Sequence, residues 1–204
     1  MINKNFKFPN IFIEFNKYGW LDSQNDSYLW LDDMEWLDME EIYDYEYEKG
    51  EIRNIVPFAV TGSGDKWVWY IKENKIISVG VCYHDEVKGK FYAENLEAAI
   101  FRNILEYVSD SCFYINENEA ESYQIGIDEL RELLNNWINK LKKWLDISWI
   151  NELEELKKLE FKHCHTDYGD YYALITPKEA NDKIKKYLKF DLLDKTFKWD
   201  TNVY

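Results

Sequence analysis

The chain has 204 residues and a mass of 24.7 kDa, and its nine Trp, 16 Tyr and 11 Phe make 36 aromatic residues. That much ring surface has to be buried, which excludes a disordered chain, and the length suits a single folded domain over residues 1–204. Thirty-nine acidic residues against 25 basic ones leave a formal net charge of -14, which repels a phosphate backbone and excludes nucleic acid as the expected partner.

Three cysteines, Cys82, Cys112 and Cys164, form an odd set without a Cys-x-x-Cys pair, as expected of a reducing compartment and hence of a cytoplasmic protein. The opening MINKNFKFPNIFIEF lacks the unbroken apolar core of a secretory signal. Nowhere does an apolar run approach the roughly 20 residues that cross a bilayer, so no membrane association is expected.

In residues 1–29 the text is mixed, with Pro9, Gly19 and the polar DSQNDS marking turns around one short element near Ile11–Phe15. Asp38 followed by Glu41 reads as a capping box, and Met39, Ile42, Tyr43 and Tyr47 share a helical face, predicting a helix over 39–49. After the turn-forming TGSGD, two runs rich in Trp, Val and Ile, 66–72 and 75–83, predict a hairpin turning at Glu73 and Asn74. Alternation puts Trp67 and Trp69 on one face of the first strand.

Asn95 is placed to cap a helix carrying Leu96, Ala99, Ile100, Ile104 and Val108. The clearest apolar stripe, Leu130 to Leu145, predicts a helix over 128–145, and a second helix over 149–159 is expected with Ser148 as its cap. FKHCHTDYGDYYALIT reads as two strands around a Gly-containing turn. Thr176-Pro-Lys-Glu179 then combines a cap, a proline at the first helical position and a capping-box Glu, predicting a helix to Leu188, and FKW near Trp199 reads as a last short strand. Hairpins joined by short turns require antiparallel neighbours, so the expected class is α+β, a mainly antiparallel sheet with helices packed around it.

Motifs for catalysis are sparse. His163-Cys164-His165 and the pair Cys82 and His84 each put two ligand types on one strand, but zinc needs three or four converging ligands and neither a Cys/His spacing motif nor HExxH occurs, so no metal or cofactor is expected. There is no GxSxG elbow, and each cysteine sits in a strand-like or apolar setting that keeps a thiol protonated. Gly62-Ser63-Gly64-Asp65 lacks the GK[ST] ending of a phosphate loop; it reads instead as a turn in which the glycines allow positive φ and Asp65 accepts hydrogen bonds from turn amides.

Charge is distributed unevenly. Between Asp22 and Glu48 stand eleven acids and no Lys or Arg, so this segment carries -11 and the rest of the chain, with 25 bases against 28 acids, only -3. Acids near the end of the predicted 39–49 helix, Asp44, Glu46 and Glu48, oppose its dipole and do not serve helix stability. Tyr28, Trp30, Trp36, Tyr43, Tyr45 and Tyr47 are interleaved with the acids. Ring and charge together suit a surface for a basic protein; the plainer alternative is core rings under a solvated acidic face.

The segment Ile55–Tyr70, IVPFAVTGSGDKWVWY, resembles the SUKH superfamily, which is related to fungal cell-wall assembly regulators and to many bacterial immunity proteins. Pro57, Phe58, Ala59, Gly62, Gly64, Asp65, Trp67 and Trp69 stand where that family has a hydrophobic-Pro-Phe-Ala stretch, a Gly-Asp turn and an aromatic strand. WLDMEEIYDY and the terminal YYALITPKEANDKIKKYLKFDLLDKTFKW are similar to its flanking helix and closing segment, whereas the start of the chain only thinly echoes the family's first helix.

The resemblance implies an α+β fold, no catalysis, and an immunity protein that neutralises a cognate toxin, often a nuclease. It implies a structural role for the eight motif residues. A basic toxin would be met by Asp32, Asp33, Glu35, Asp38, Glu40, Glu41, Asp44, Glu46 and Glu48, whose carboxylates can stand where substrate phosphates bind. The alternatives are a regulatory or scaffolding module for a cellular partner, as in the fungal members, and a hydrolase whose carboxylates converge in a cleft.

Overall fold

A computed structural model describes residues 6–73, 75–110, 112–166 and 169–201. Among the described residues there are six α-helices and eight strands, in a six-stranded antiparallel sheet and a separate two-stranded hairpin, so the fold is α+β as expected. No helix among the described residues is long and apolar enough to cross a membrane. The chain divides into two compact units: residues up to Ile100 with those from Phe190 onward, and Phe101–Lys189.

The first unit is built on β1 (Glu35–Trp36), β2 (Ile55–Val60), β3 (Lys66–Lys72), β4 (Lys75–Cys82), β5 (Lys88–Ala93) and β8 (Thr196–Lys198), neighbours in that order. The hairpin β3–β4 matches its sequence pattern, although Asn74 of its turn lies outside the described residues. β1, β2 and β5 were not predicted: β1 has only two residues, β2 contains a proline, and β5 reads as polar text. Pro57 is tolerated inside the sheet because the register with β3 shifts between Pro57 and Ala59, a bulge that leaves Phe58 without a partner on β3.

Phe58 then stacks on Trp69, with ring centroids 4.7 Å apart. On the opposite face of β3, Val68 joins Ile55, Cys82, Phe91, Phe197 and Trp199 in a second apolar cluster. The sheet is therefore buried on both faces, which explains the unbroken apolar text of IVPFAV.

Over the Trp69 face lies α1 (Asn10–Lys17), longer than the short element expected near Ile11–Phe15. Phe12 makes ring contacts with Phe8, Trp36, Phe58 and Trp69. Gly19, at φ +69°, ends the helix: the Gly19 amide donates to Asn16 O and the Trp20 amide to Phe15 O, while Phe15 and Trp20 pack at 5.3 Å.

α2 (Met39–Asp44) starts with the predicted capping box, Asp38 accepting from the Glu40 and Glu41 amides and Glu41 accepting from the Asp38 amide. It stops at Asp44 rather than at Lys49, because the chain turns extended at Tyr45 (φ -54°, ψ 122°). The Tyr45 and Tyr47 hydroxyls bind Glu51 and the Ile55 carbonyl, which a continuing helix would forbid.

In sequence α3 (Leu96–Tyr107) spans the division, and Asn95 caps it by accepting from the Ala98 amide. In the second unit Phe101 stacks on Trp149 at 5.0 Å and Tyr107 packs edge-on against Trp137 at 5.7 Å. α4 (Ile127–Leu141) buries the predicted stripe, and its last residues, Trp144 and Leu145, continue as a turn. α5 (Ile147–Leu156) begins two residues before the expected start, because Asp146 and not Ser148 is the cap: its carboxylate accepts from the Ser148 amide and hydroxyl. β6 (Lys162–Thr166) and β7 (Gly169–Ala173) form the expected hairpin, with Asp167 and Tyr168 outside the described residues. α6 (Pro177–Tyr187) carries the predicted Thr176–Glu179 capping box.

Candidate functional site

The acidic segment is organised by alternation. From Leu29 to Trp36 the residues Leu29, Leu31, Met34 and Trp36 are buried, which turns Trp30, Asp33 and Glu35 outward and leaves Asp32 half-buried. Two indoles hold this stretch from beneath: the Trp36 Nε1–H donates to the Leu29 carbonyl at 2.8 Å and the Trp67 Nε1–H to the Asp33 carbonyl at 2.6 Å. The second anchor fixes the backbone at the position where Asp33 takes a left-handed conformation, φ +49°. The loop is thus tied at both ends to the Trp-rich sheet face.

A cleft of about 650 Å³ opens on this stretch. Asp32, Asp33 and Glu35 line it together with Tyr28, Trp30 and Trp36, and Gly62 of the TGSGD turn forms part of the wall. Trp30 is 39% exposed, far more than a ring of that size in a core. Burial, and then the Glu35 charge, push the Tyr28 phenol above its ordinary value, with a backbone hydrogen bond from Trp36 working the other way. Asp33 and Glu35 face no cation within 4.0 Å among the described residues.

Beyond the cleft the carboxylates divide by role. Asp38 and Glu41 are engaged in the capping box and stabilise the start of α2, where acids also suit the helix dipole. Glu40 and Glu41 each stand within one turn of Asp44, so α2 presents an acidic face opposite buried Ile42. Only Asp44 sits at the unfavourable end of the dipole, since Glu46 and Glu48 lie past the helix. Glu40, Asp44 and Glu46 are exposed and face no cation within 4.0 Å among the described residues.

Glu48 differs, because Lys66 Nζ lies 3.0 Å from its carboxylate and 2.5 Å from that of Glu51. Glu51 is buried and also accepts from the Tyr45 hydroxyl and the Glu48 amide. Burial alone would lower the Lys66 pKa, but hydrogen bonds with Glu51, Tyr45 and Glu48 outweigh it and hold the ammonium above the ordinary lysine value. This knot fastens the strap after α2 to the sheet. Glu35 is paired with Val60 and Val60 with Lys66, so about 10 Å, two strand spacings, separates the backbone of the cleft from that of the knot.

Of the interleaved rings, Trp36 is core, Tyr43 packs edge-on against Phe8 at 5.1 Å, and Tyr45 and Tyr47 hold the strap. The plainer expectation, core rings under solvated acids, therefore describes part of the segment and not Trp30. Of the eight motif residues, Gly62 lines the cleft. Pro57, Phe58 and Ala59 form the bulge; Gly64 takes φ +93° in the turn; Trp67 and Trp69 serve the anchored face. Asp65 departs from expectation: its carboxylate accepts from the His84 amide at 2.9 Å and pairs with the His84 ring at 2.7 Å, while the turn is closed by Thr61, whose carbonyl accepts from the Gly64 amide.

No cluster of three or more His, Cys, Asp or Glu able to hold a metal occurs among the described residues. His163 and His165 are both engaged with Asp170 on an exposed hairpin. Burial pushes the Cys82 thiol up and keeps it protonated. The sequence named the acids and most of the rings, but Leu21, Ser23 and the Gly62 wall of the cleft carry no local signal, since they join it only through tertiary folding. No family model, no characterised protein and no solved structure matches this chain.

Proposed function

We propose that this chain is a non-catalytic, cytoplasmic immunity protein that binds and neutralises a basic protein toxin, possessing nuclease chemistry in the simplest case. The observation that carries this reading is the pre-set, unneutralised acidic surface: Asp33 and Glu35 at a cleft beside exposed Trp30, with Glu40, Asp44 and Glu46 following along α2 and the strap. An aromatic anchor among fixed carboxylates fits both halves of protein recognition, buried ring area for affinity and charge for encounter rate. Fixing the loop in advance also removes the ordering cost that a flexible acidic tail would incur. The SUKH resemblance supports the reading at the level of the Ile55–Tyr70 motif.

Co-expression with the product of the toxin-like reading frame beside its gene tests the proposal. The expected result is a stable complex and loss of toxicity, with association slowed at least tenfold by D44K/E46K. Absence of a complex, with toxicity unrelieved, contradicts it.

A further inference from the structure

The cleft in the acidic loop has the chemistry of a receptor for one particular cationic group. None of its lining residues is a Lys or Arg, so the chain does not supply its own counter-ion from the wall. No group of three or more His, Cys, Asp or Glu able to hold a metal ion occurs among the described residues. A compact divalent cation is therefore a poor occupant. Acidic Asp33 and Glu35 in the same lining as the exposed Trp30 instead match a wide, planar, delocalised cation that donates from several edges and stacks on its face. A volume of about 650 Å³ is ample for a guanidinium with its alkyl stem.

The two indole-to-carbonyl hydrogen bonds, at Leu29 and Asp33, hold the loop in this form before any ligand arrives. We infer that this cleft takes an arginine side chain of the basic partner, with Asp33 and Glu35 accepting from the guanidinium and Trp30 stacking on it. The inference deepens the proposed immunity function and rests on it for the source of the arginine, but its chemistry is testable without the partner.

The probe is N-acetyl-arginine methylamide, titrated into the labelled full chain while the Trp30 indole and Gly62 amide signals are followed by NMR. A saturable shift with a dissociation constant of roughly millimolar order is expected, in keeping with so small a ligand. The neutral isostere N-acetyl-citrulline methylamide should give no saturable shift, and the lysine analogue should bind at least threefold more weakly. E35Q and D33N, which keep side-chain shape, should each weaken arginine binding about fivefold or more with the remaining spectrum unchanged, and D44N/E46Q should not.

Citrulline or lysine binding as tightly as arginine, no saturation by 50 mM (about fifty times the expected constant), or indifference to E35Q and D33N each overturns the assignment. If arginine binds as described while D44K/E46K leaves association with the toxin unchanged, the cleft stands and the wider acidic-surface reading is what fails.

Discussion

Breaking the Lys66–Glu51 pair from one side should unfold the first unit far more readily than removing both partners. The Lys66 side chain is 13% exposed and that of Glu51 only 2%, so neither charge can turn to water when its partner is lost. In K66M the Glu51 carboxylate keeps only the Tyr45 hydroxyl and the Glu48 amide, both neutral donors. Leaving a buried charge uncompensated costs about 3–5 kcal/mol. K66M/E51L removes both charges and should cost about 1–3 kcal/mol, chiefly for the two donors left without an acceptor.

Urea unfolding followed by Trp fluorescence gives the cycle, and a coupling energy of at least about 2 kcal/mol is expected. The pH sense is also fixed. A lysine whose folded pKa lies above its unfolded value contributes fully below the ordinary 10.5 and loses that contribution as pH rises through the folded value, so the gap between wild type and K66M should hold at neutral pH and shrink only in strong alkali. Additive single costs, or a K66M penalty below about 1 kcal/mol, would show the pair to be screened by solvent and refute the reasoning.

Phe12→Ala should destabilise the first unit by about 3–5 kcal/mol, since the ring is fully buried against four others; a chemical denaturation midpoint close to wild type would mean that α1 is not docked there. Gly89→Ala places a Cβ 2.6 Å from the Val81 carbonyl oxygen and 2.7 Å from the Phe197 ring, so a loss of about 1–3 kcal/mol is expected from thermal unfolding, and a neutral effect would contradict the β4–β5–β8 packing. Hydrogen bonds from Lys162 and the Thr176 amide bring the Glu179 pKa down to about 2. Its contribution is therefore present above the ordinary carboxylate range and lost as pH falls through 2; E179Q should cost about 1 kcal/mol at pH 7, discounted for a side chain 43% exposed, and only a small fraction of that at pH 2.

Helix starts were the most legible features of the sequence, because a cap and its partner three residues on are local. Asp38 with Glu41, Asn95, and Thr176 with Glu179 all act as read. Helix ends were less so: nothing local in YDYEYEK announces that Tyr45 and Tyr47 will reach for Glu51 and Ile55, contacts that end α2 early. β2 and β5 escaped the period-two pattern, β2 because both its faces are buried and a bulge shifts its register, β5 because the buried position between its outward lysines is Gly89, which carries no apolar side chain to mark it. At the candidate site the concentration of charge was plain, but its division was not. The capping duty of Asp38 and Glu41 and the neutralisation of Glu48 by Lys66 reduce the nine carboxylates to a smaller outward-facing set. The cleft itself depends on the Trp67 indole reaching the Asp33 carbonyl from a distant strand, which no window of sequence displays.

The most direct test of the acidic surface is the association rate constant for the toxin complex, measured by stopped flow across a range of ionic strength for wild type and D44K/E46K. The predicted result is a fast rate in low salt that falls steeply as salt is added, with the reversed variant at least tenfold slower in low salt and nearly insensitive to salt. Equal rates for the two proteins at every salt concentration would contradict it.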